Sequence, residues 1–60
     1  KLTDAINRLD DKKRTVFLMN RIEKMTYNQI ADSLGITVKA VEKRMEKALS
    51  FLKQQIEVNL

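Results

Sequence analysis

Lys39, Lys43 and Lys47 stand four residues apart. At 100° per residue of helix they fall within about 80° of one another, on a single face. An ammonium row of this kind suits anions. Lys donates to guanine O6 and N7 and to phosphate oxygens, and Glu42 and Glu46, on one flank, could accept from cytosine N4. Ala40 lies beside the row and could pack on a thymine methyl, with Arg44 on the other flank. A helix that presents such groups in its N-terminal half has the chemistry of a major-groove reader. A lysine row by itself is more often a solvated face. Glu42 and Glu46 would oppose phosphates, so they stand either as base readers or as intrahelical partners of Lys43 and Lys47. What the row can do therefore depends on the elements that present it.

Other chemistry is largely excluded. The 60 residues contain no Cys and no His, which removes a disulfide framework, a thiolate nucleophile and the usual zinc ligands. The commonest general base at neutral pH is missing with His. One Gly cannot build a phosphate-cradling loop. Asp10 and Asp11 are paired carboxylates at a helix start, where acids normally serve as caps, so no enzyme and no cofactor is expected. The longest apolar run, Val16 to Met19, is far short of the roughly 20 residues a membrane span needs. A net charge of +4, with 33% charged and 43% apolar residues, describes one small domain with a thin core. The first residue is Lys1 rather than Met, which suggests a piece cut from a longer protein.

Apolar residues recur at three and four, never in clean alternation, and Pro is absent. Four helices are expected. The first runs from about Thr3 to Leu9, with Leu2, Ala5, Ile6 and Leu9 on one stripe. The second runs from about Asp11 to Lys24, capped by Asp10 or Asp11. Its Val16, Phe17, Leu18, Met19 and Ile22 cover most of the circumference, which marks a central helix. The third follows Thr26, where Thr26 and Gln29 have capping-box spacing and Met25 and Ile30 form a hydrophobic staple. Its buried face is Ile30, Ala31 and Leu34, and it stops at Gly35. The fourth follows Thr37 as N-cap, with Ile36 and Val41 as staple, and could reach Val58, about 31 Å of helix. Its apolar stripe is Val38, Val41, Met45, Ala48, Leu49, Leu52 and Ile56.

Only Leu34-Gly35-Ile36-Thr37 joins the third and fourth helices. So short a turn sets two helices at a steep angle. Ala31 leaves room for the crossing, and Val41 plugs the space between them. Cap, small residue, Gly and plug together make a helix-turn-helix, and they favour it over an ordinary helical hairpin. The fold class expected is all-α: a four-helix domain with a helix-turn-helix, of the winged-helix-like DNA-binding class but without a wing. Arg21, Lys24, Tyr27 and Asn28 surround the start of the third helix, which usually crosses the DNA backbone. The Tyr27 O–H, the Asn28 side chain and free N–H groups there could hold a phosphate; Tyr27 could equally be a half-buried aromatic. Arg8, Lys12, Lys13 and Arg14 form a second basic cluster, read as solvated because Asp10 and Asp11 precede its Lys12-Lys13-Arg14 run.

The segments RTVFLMNRIEKMTYNQIADSLGIT and VKAVEKRMEKALSFLK carry a family likeness. From Leu9 to Leu52 the chain resembles region 4, the C-terminal promoter-recognition domain of bacterial sigma-70-type sigma factors, and is most similar to the extracytoplasmic-function group. The resemblance implies a cytoplasmic transcription initiation factor. Its partners would be the −35 element of double-stranded promoter DNA, the β-subunit flap of RNA polymerase, and an anti-sigma factor. It also implies that Lys39, Glu42, Lys43 and Lys47 face DNA and that Ile30, Ala31, Leu34, Val41 and Met45 are core. The chain departs from the family where Asp10 replaces a frequent Pro, Lys24 a frequent Gly, Gln29 an acid, and Ala40-Val41 the usual Thr-Val.

Two other readings stand beside this one. A response-regulator output domain has a helix-turn-helix of similar spacing, but the Arg14 to Phe17 opening of the second helix favours the sigma resemblance. A protein-interaction module with little DNA affinity is the second. Salt separates it from a DNA binder, because binding through phosphates weakens steeply as salt rises and apolar docking does not.

Overall fold

The computed structural model describes the backbone of residues 2–58 and the side chains of residues 3–55. Its order is α1 (Leu2–Arg8), α2 (Asp11–Arg21), α3 (Tyr27–Leu34) and α4 (Val38–Val58), with no strand among the described residues. The all-α four-helix expectation holds.

Each of the last three helices begins where a side chain can take an orphan N–H. Asp10 is extended (φ −68°, ψ 164°) and caps α2, its Oδ1 accepting from the Lys13 N–H at 2.9 Å. The Lys13 ammonium lies 3.1 Å from Oδ2 of the same carboxylate. The backbone N–H bond first, and then the ammonium, hold the Asp10 carboxyl below the usual carboxylate range. Arg14 fastens α1 to α2: its Nη1 donates to the Asn7 and Leu9 carbonyls, both at 3.2 Å, and its Nη2 pairs with Asp11. Leu9 and Ala5 are thereby set into the core, with Ile6 packed beside them. Leu2 belongs to the expected stripe, but its side chain lies outside the described residues, as do those of Ile56 and Val58.

The second helix is shorter than its apolar pattern suggests. It ends at Arg21, not Lys24. The Ile22 and Glu23 N–H groups both turn to the Leu18 carbonyl, at 2.8 and 3.3 Å, and the Met25 N–H reaches Met19 O at 3.1 Å. Asn20 Nδ2 donates to the Met25 carbonyl at 2.9 Å. These bonds close the helix around Lys24, which adopts the left-handed conformation at φ 60°. Ile22 is consequently 71% exposed and adds nothing to the central face. Val16, Phe17 and Met19 do face inward, with Leu18 packed against them, and α2 contacts both α3 and α4.

The capping box at α3 is complete: Gln29 N–H donates to Thr26 Oγ1 at 3.1 Å, and Thr26 N–H to Gln29 Oε1 at 2.8 Å. Gly35 ends the helix at φ 68°, ψ 35°. An added Cβ there would meet nothing within 4 Å, so the left-handed backbone, not crowding, calls for Gly. Thr37 Oγ1 then caps α4 by accepting from Ala40 N–H at 3.1 Å.

The core joins α2, α3 and α4 through Val16, Ile30, Val41 and Met45, all fully buried, with Ala31, Ala48 and Leu52 around them. Two expected core residues are corrected. Leu34 is 36% exposed, because the last turn of α3 opens onto a cleft shared with Asp11, Lys12, Thr15, Ile36 and Arg44. Leu49 is 37% exposed, at the margin of the α4 face on which Ala48 and Leu52 are buried. Phe51, absent from the expected stripe, packs against the core instead.

Candidate nucleic-acid interface

The Leu34–Thr37 turn decides what α4 shows to solvent. Ile36 and Val38 rest against the core on either side of Thr37, and Val41 and Met45 face inward one and two turns later. The opposite face is left open. Lys39, Lys43 and Lys47 are all exposed along it, and Glu42 and Glu46 are exposed beside them. Ala40 is half-buried at the edge of the row.

Among the described residues no ion pair holds the row. Among the described residues the ion pairs are Lys13–Asp10 and Arg14–Asp11, both at the start of α2. No described carboxylate lies within 4 Å of the Lys39, Lys43 or Lys47 ammonium, so Glu42 and Glu46 are not spent as intrahelical partners. Exposed ammoniums without partners keep their donors for an external acceptor.

The remaining residues divide. Arg44 is half-buried and lines the cleft with Leu34 and Lys12, so it sits on the flank and not on the ridge. Asn28 is exposed at the start of α3. The capping box uses the N–H groups of Thr26 and Gln29, and Ile30 N–H bonds Thr26 O at 2.9 Å. Those of Tyr27 and Asn28 are left pointing out of the helix, an arrangement suited to a phosphate. Tyr27 is half-buried, its ring packed against the core, which matches the aromatic-at-a-helix-start reading and leaves only part of it for a ligand. Arg21 and Lys24 are exposed nearby, and the Arg21 guanidinium lies 6.0 Å from the Phe17 ring centroid.

One grouping escaped the sequence pattern. Arg8, Lys13 and Lys47 line a common cleft although they belong to three helices. Helical periodicity relates residues within one helix only, so no spacing signal could have joined them.

Among the described residues no helix is long and apolar enough to cross a membrane, and no acidic cluster could hold a metal ion. The family model described as Sigma-70, region 4 matches residues 1–52. The chain is 32% identical over 60 residues to the Positive control factor of Bacillus subtilis (strain 168), covering 98% of this chain and 36% of that protein. It is 33% identical over 48 residues to the Ferric citrate uptake sigma factor FecI of Escherichia coli (strain K12), covering 80% of this chain and 28% of that protein. The chain thus spans about a third of the length of the curated relatives it matches. No solved structure matches it.

Proposed function

The chain belongs to the sigma-70 region 4 family, and from that premise we propose that it binds the −35 element of promoter DNA as part of a sigma factor of the extracytoplasmic-function group, directing RNA polymerase in transcription initiation. The response-regulator alternative falls with the membership. The observation that carries the proposal is the open, unpaired row Lys39, Lys43 and Lys47 on the second helix of the helix-turn-helix.

The physical sequence is direct. Gly35 sets the angle, Val41 and Met45 lock α4 by burial, and the ammonium row points into the groove. Lys39, Ala40, Glu42 and Lys43 stand nearest the helix N-terminus, where base edges are met. Glu46 and Lys47 follow one turn later, with Arg44 on the flank. Asn28, Tyr27 and the free N–H groups at the start of α3 hold a backbone phosphate. The protein partners are the RNA polymerase β flap and an anti-sigma factor, and the setting is the cytoplasm. Among the described residues, the large apolar side chains open to such a partner are Ile22, Leu34 and Leu49.

The test is selection of duplexes from a random library by the wild-type chain. A single enriched motif, abolished or altered when Lys39 and Lys43 are replaced by Ala, is the expected result. Enrichment of no motif, with salt-insensitive binding to polymerase, would place the chain among protein-interaction modules.

A further inference from the structure

A cleft of about 250 Å³ opens where the end of α1 and the start of α2 meet α4, lined by Arg8, Leu9, Asp10, Lys13, Lys47 and Phe51. Three cations meet there against one carboxylate. Arg8 Nη1 donates to Gln55 Oε1 at 3.2 Å, which orients the guanidinium and leaves most of its five donors over. Lys13 gives one of its three N–H donors to Asp10 at 3.1 Å. Lys47 has no ion pair among the described residues.

We infer that Arg8, Lys13 and Lys47 form a seat for a backbone phosphate of duplex DNA, at the rim of the groove that α4 enters. The inference rests on the DNA-binding reading above and extends the DNA-facing surface to α1 and the start of α2. Its geometry follows from the helix. Lys39 and Lys47 are eight residues apart on one face, about 12 Å along the axis. The major groove is also about 12 Å wide. With Lys39 over base edges, the Lys47 end of the row reaches the groove wall, and the wall is phosphate. The cleft lies at that end.

The chemistry fits the same acceptor. A guanidinium fork matches two non-bridging phosphate oxygens, and two ammoniums supply charge beside it. Leu9 and Phe51 line the cleft with apolar surface, which reduces competition from water. Asp10 subtracts one charge and holds Lys13 in place. The exposed Lys13–Asp10 pair is worth little by itself, so Lys13 gives up little when it turns toward a phosphate. A phosphate held there adds affinity and register but no base preference.

The test compares the wild-type chain with R8Q/K13Q on the duplex the wild type enriches, between about 50 and 200 mM NaCl. The slope of log K on log[salt] is expected to become shallower by about 0.9 for one phosphate no longer neutralised, with the order of base preference kept. Ethylation interference on the wild-type chain, which needs no variant to fold, is expected to show a sensitive phosphate at the edge of the site. A folded R8Q/K13Q is expected to be indifferent to ethylation there. An unchanged slope in a folded R8Q/K13Q, or no sensitive phosphate at that edge, overturns the inference while leaving groove binding by α4 intact. A wild-type chain that binds no duplex overturns both.

Discussion

Thr26 and Gln29 satisfy each other across the start of α3, side chain to backbone in both directions, at 3.1 and 2.8 Å. This reciprocal pair fixes where α3 begins, and so where Ile30 and Ala31 enter the core. It also takes up two of the N–H groups at that helix end and leaves those of Tyr27 and Asn28 pointing outward. One local device thus sets the start of α3 and leaves open the two donors that the proposed phosphate contact would use.

Thr26→Ala removes the acceptor for Gln29 N–H and is expected to cost about 1 kcal/mol. In a domain this small that lowers Tm by roughly 4–8 °C. A thermal melt followed by circular dichroism checks it. An unshifted Tm would mean that the box adds nothing to stability.

Gly35 and Lys24 share the left-handed region, at φ 68° and 60°, and their substitutions should move stability in opposite directions. Gly35→Val forces a β-branched residue into that conformation and is expected to cost at least about 1–2 kcal/mol. Lys24→Gly relieves the same strain and is expected to gain roughly 0.5–1 kcal/mol, after the extra unfolded-state entropy of Gly is counted. Urea denaturation of both variants decides; a destabilised Lys24→Gly would contradict the end of α2 as described.

Met45 and Leu49 lie on the same expected stripe, yet Met45 is 1% exposed and Leu49 37%. Met45→Ala is expected to cost about 2–5 kcal/mol through removal of buried surface and the cavity left behind. Leu49→Ala, partly exposed, should cost less, about 1–1.5 kcal/mol. Equal costs, measured by the same denaturation, would place Leu49 back in the core.

Asp10 ties stability to pH. Its carboxyl titrates below the ordinary range because the folded chain bonds the ionised form, first through the Lys13 N–H. A depressed folded value means that its contribution is present above the unfolded pKa and lost as pH falls through the folded one. Asp10→Asn keeps a capping oxygen and removes the charge. The Tm gap between wild type and Asp10→Asn is therefore expected to be largest near neutrality and to close in acid. A gap that persists at about pH 2, below the carboxylate range, would detach the effect from Asp10 ionisation.

Lys43→Ala tests the groove placement of α4. A change in which bases are preferred makes Lys43 a base reader, whereas uniform weakening with a salt slope reduced by about 0.9 makes it a phosphate binder. Unaltered affinity on every duplex would remove α4 from the groove.

The features legible in the amino-acid order were those set by near neighbours in the chain. Thr26 with Gln29, the cap at Thr37 and the left-handed Gly35 each involve a few consecutive residues, and the structure contains all three; the cap of α2, open between Asp10 and Asp11 in the sequence, falls to Asp10. The lysine row was legible for the same reason, since one helix relates its own faces by a fixed angle. Periodicity, however, names only the side of a helix that could be buried, and its neighbours determine how much of that side they cover. Tertiary packing therefore decided that Leu34 and Leu49 stay partly open, that α2 closes at Arg21 and strands Ile22 in solvent, and that Phe51 packs inward. It alone brought Arg8, Lys13 and Lys47 to one cleft, because docking α1 and α2 on α4 is a long-range event that no local spacing encodes.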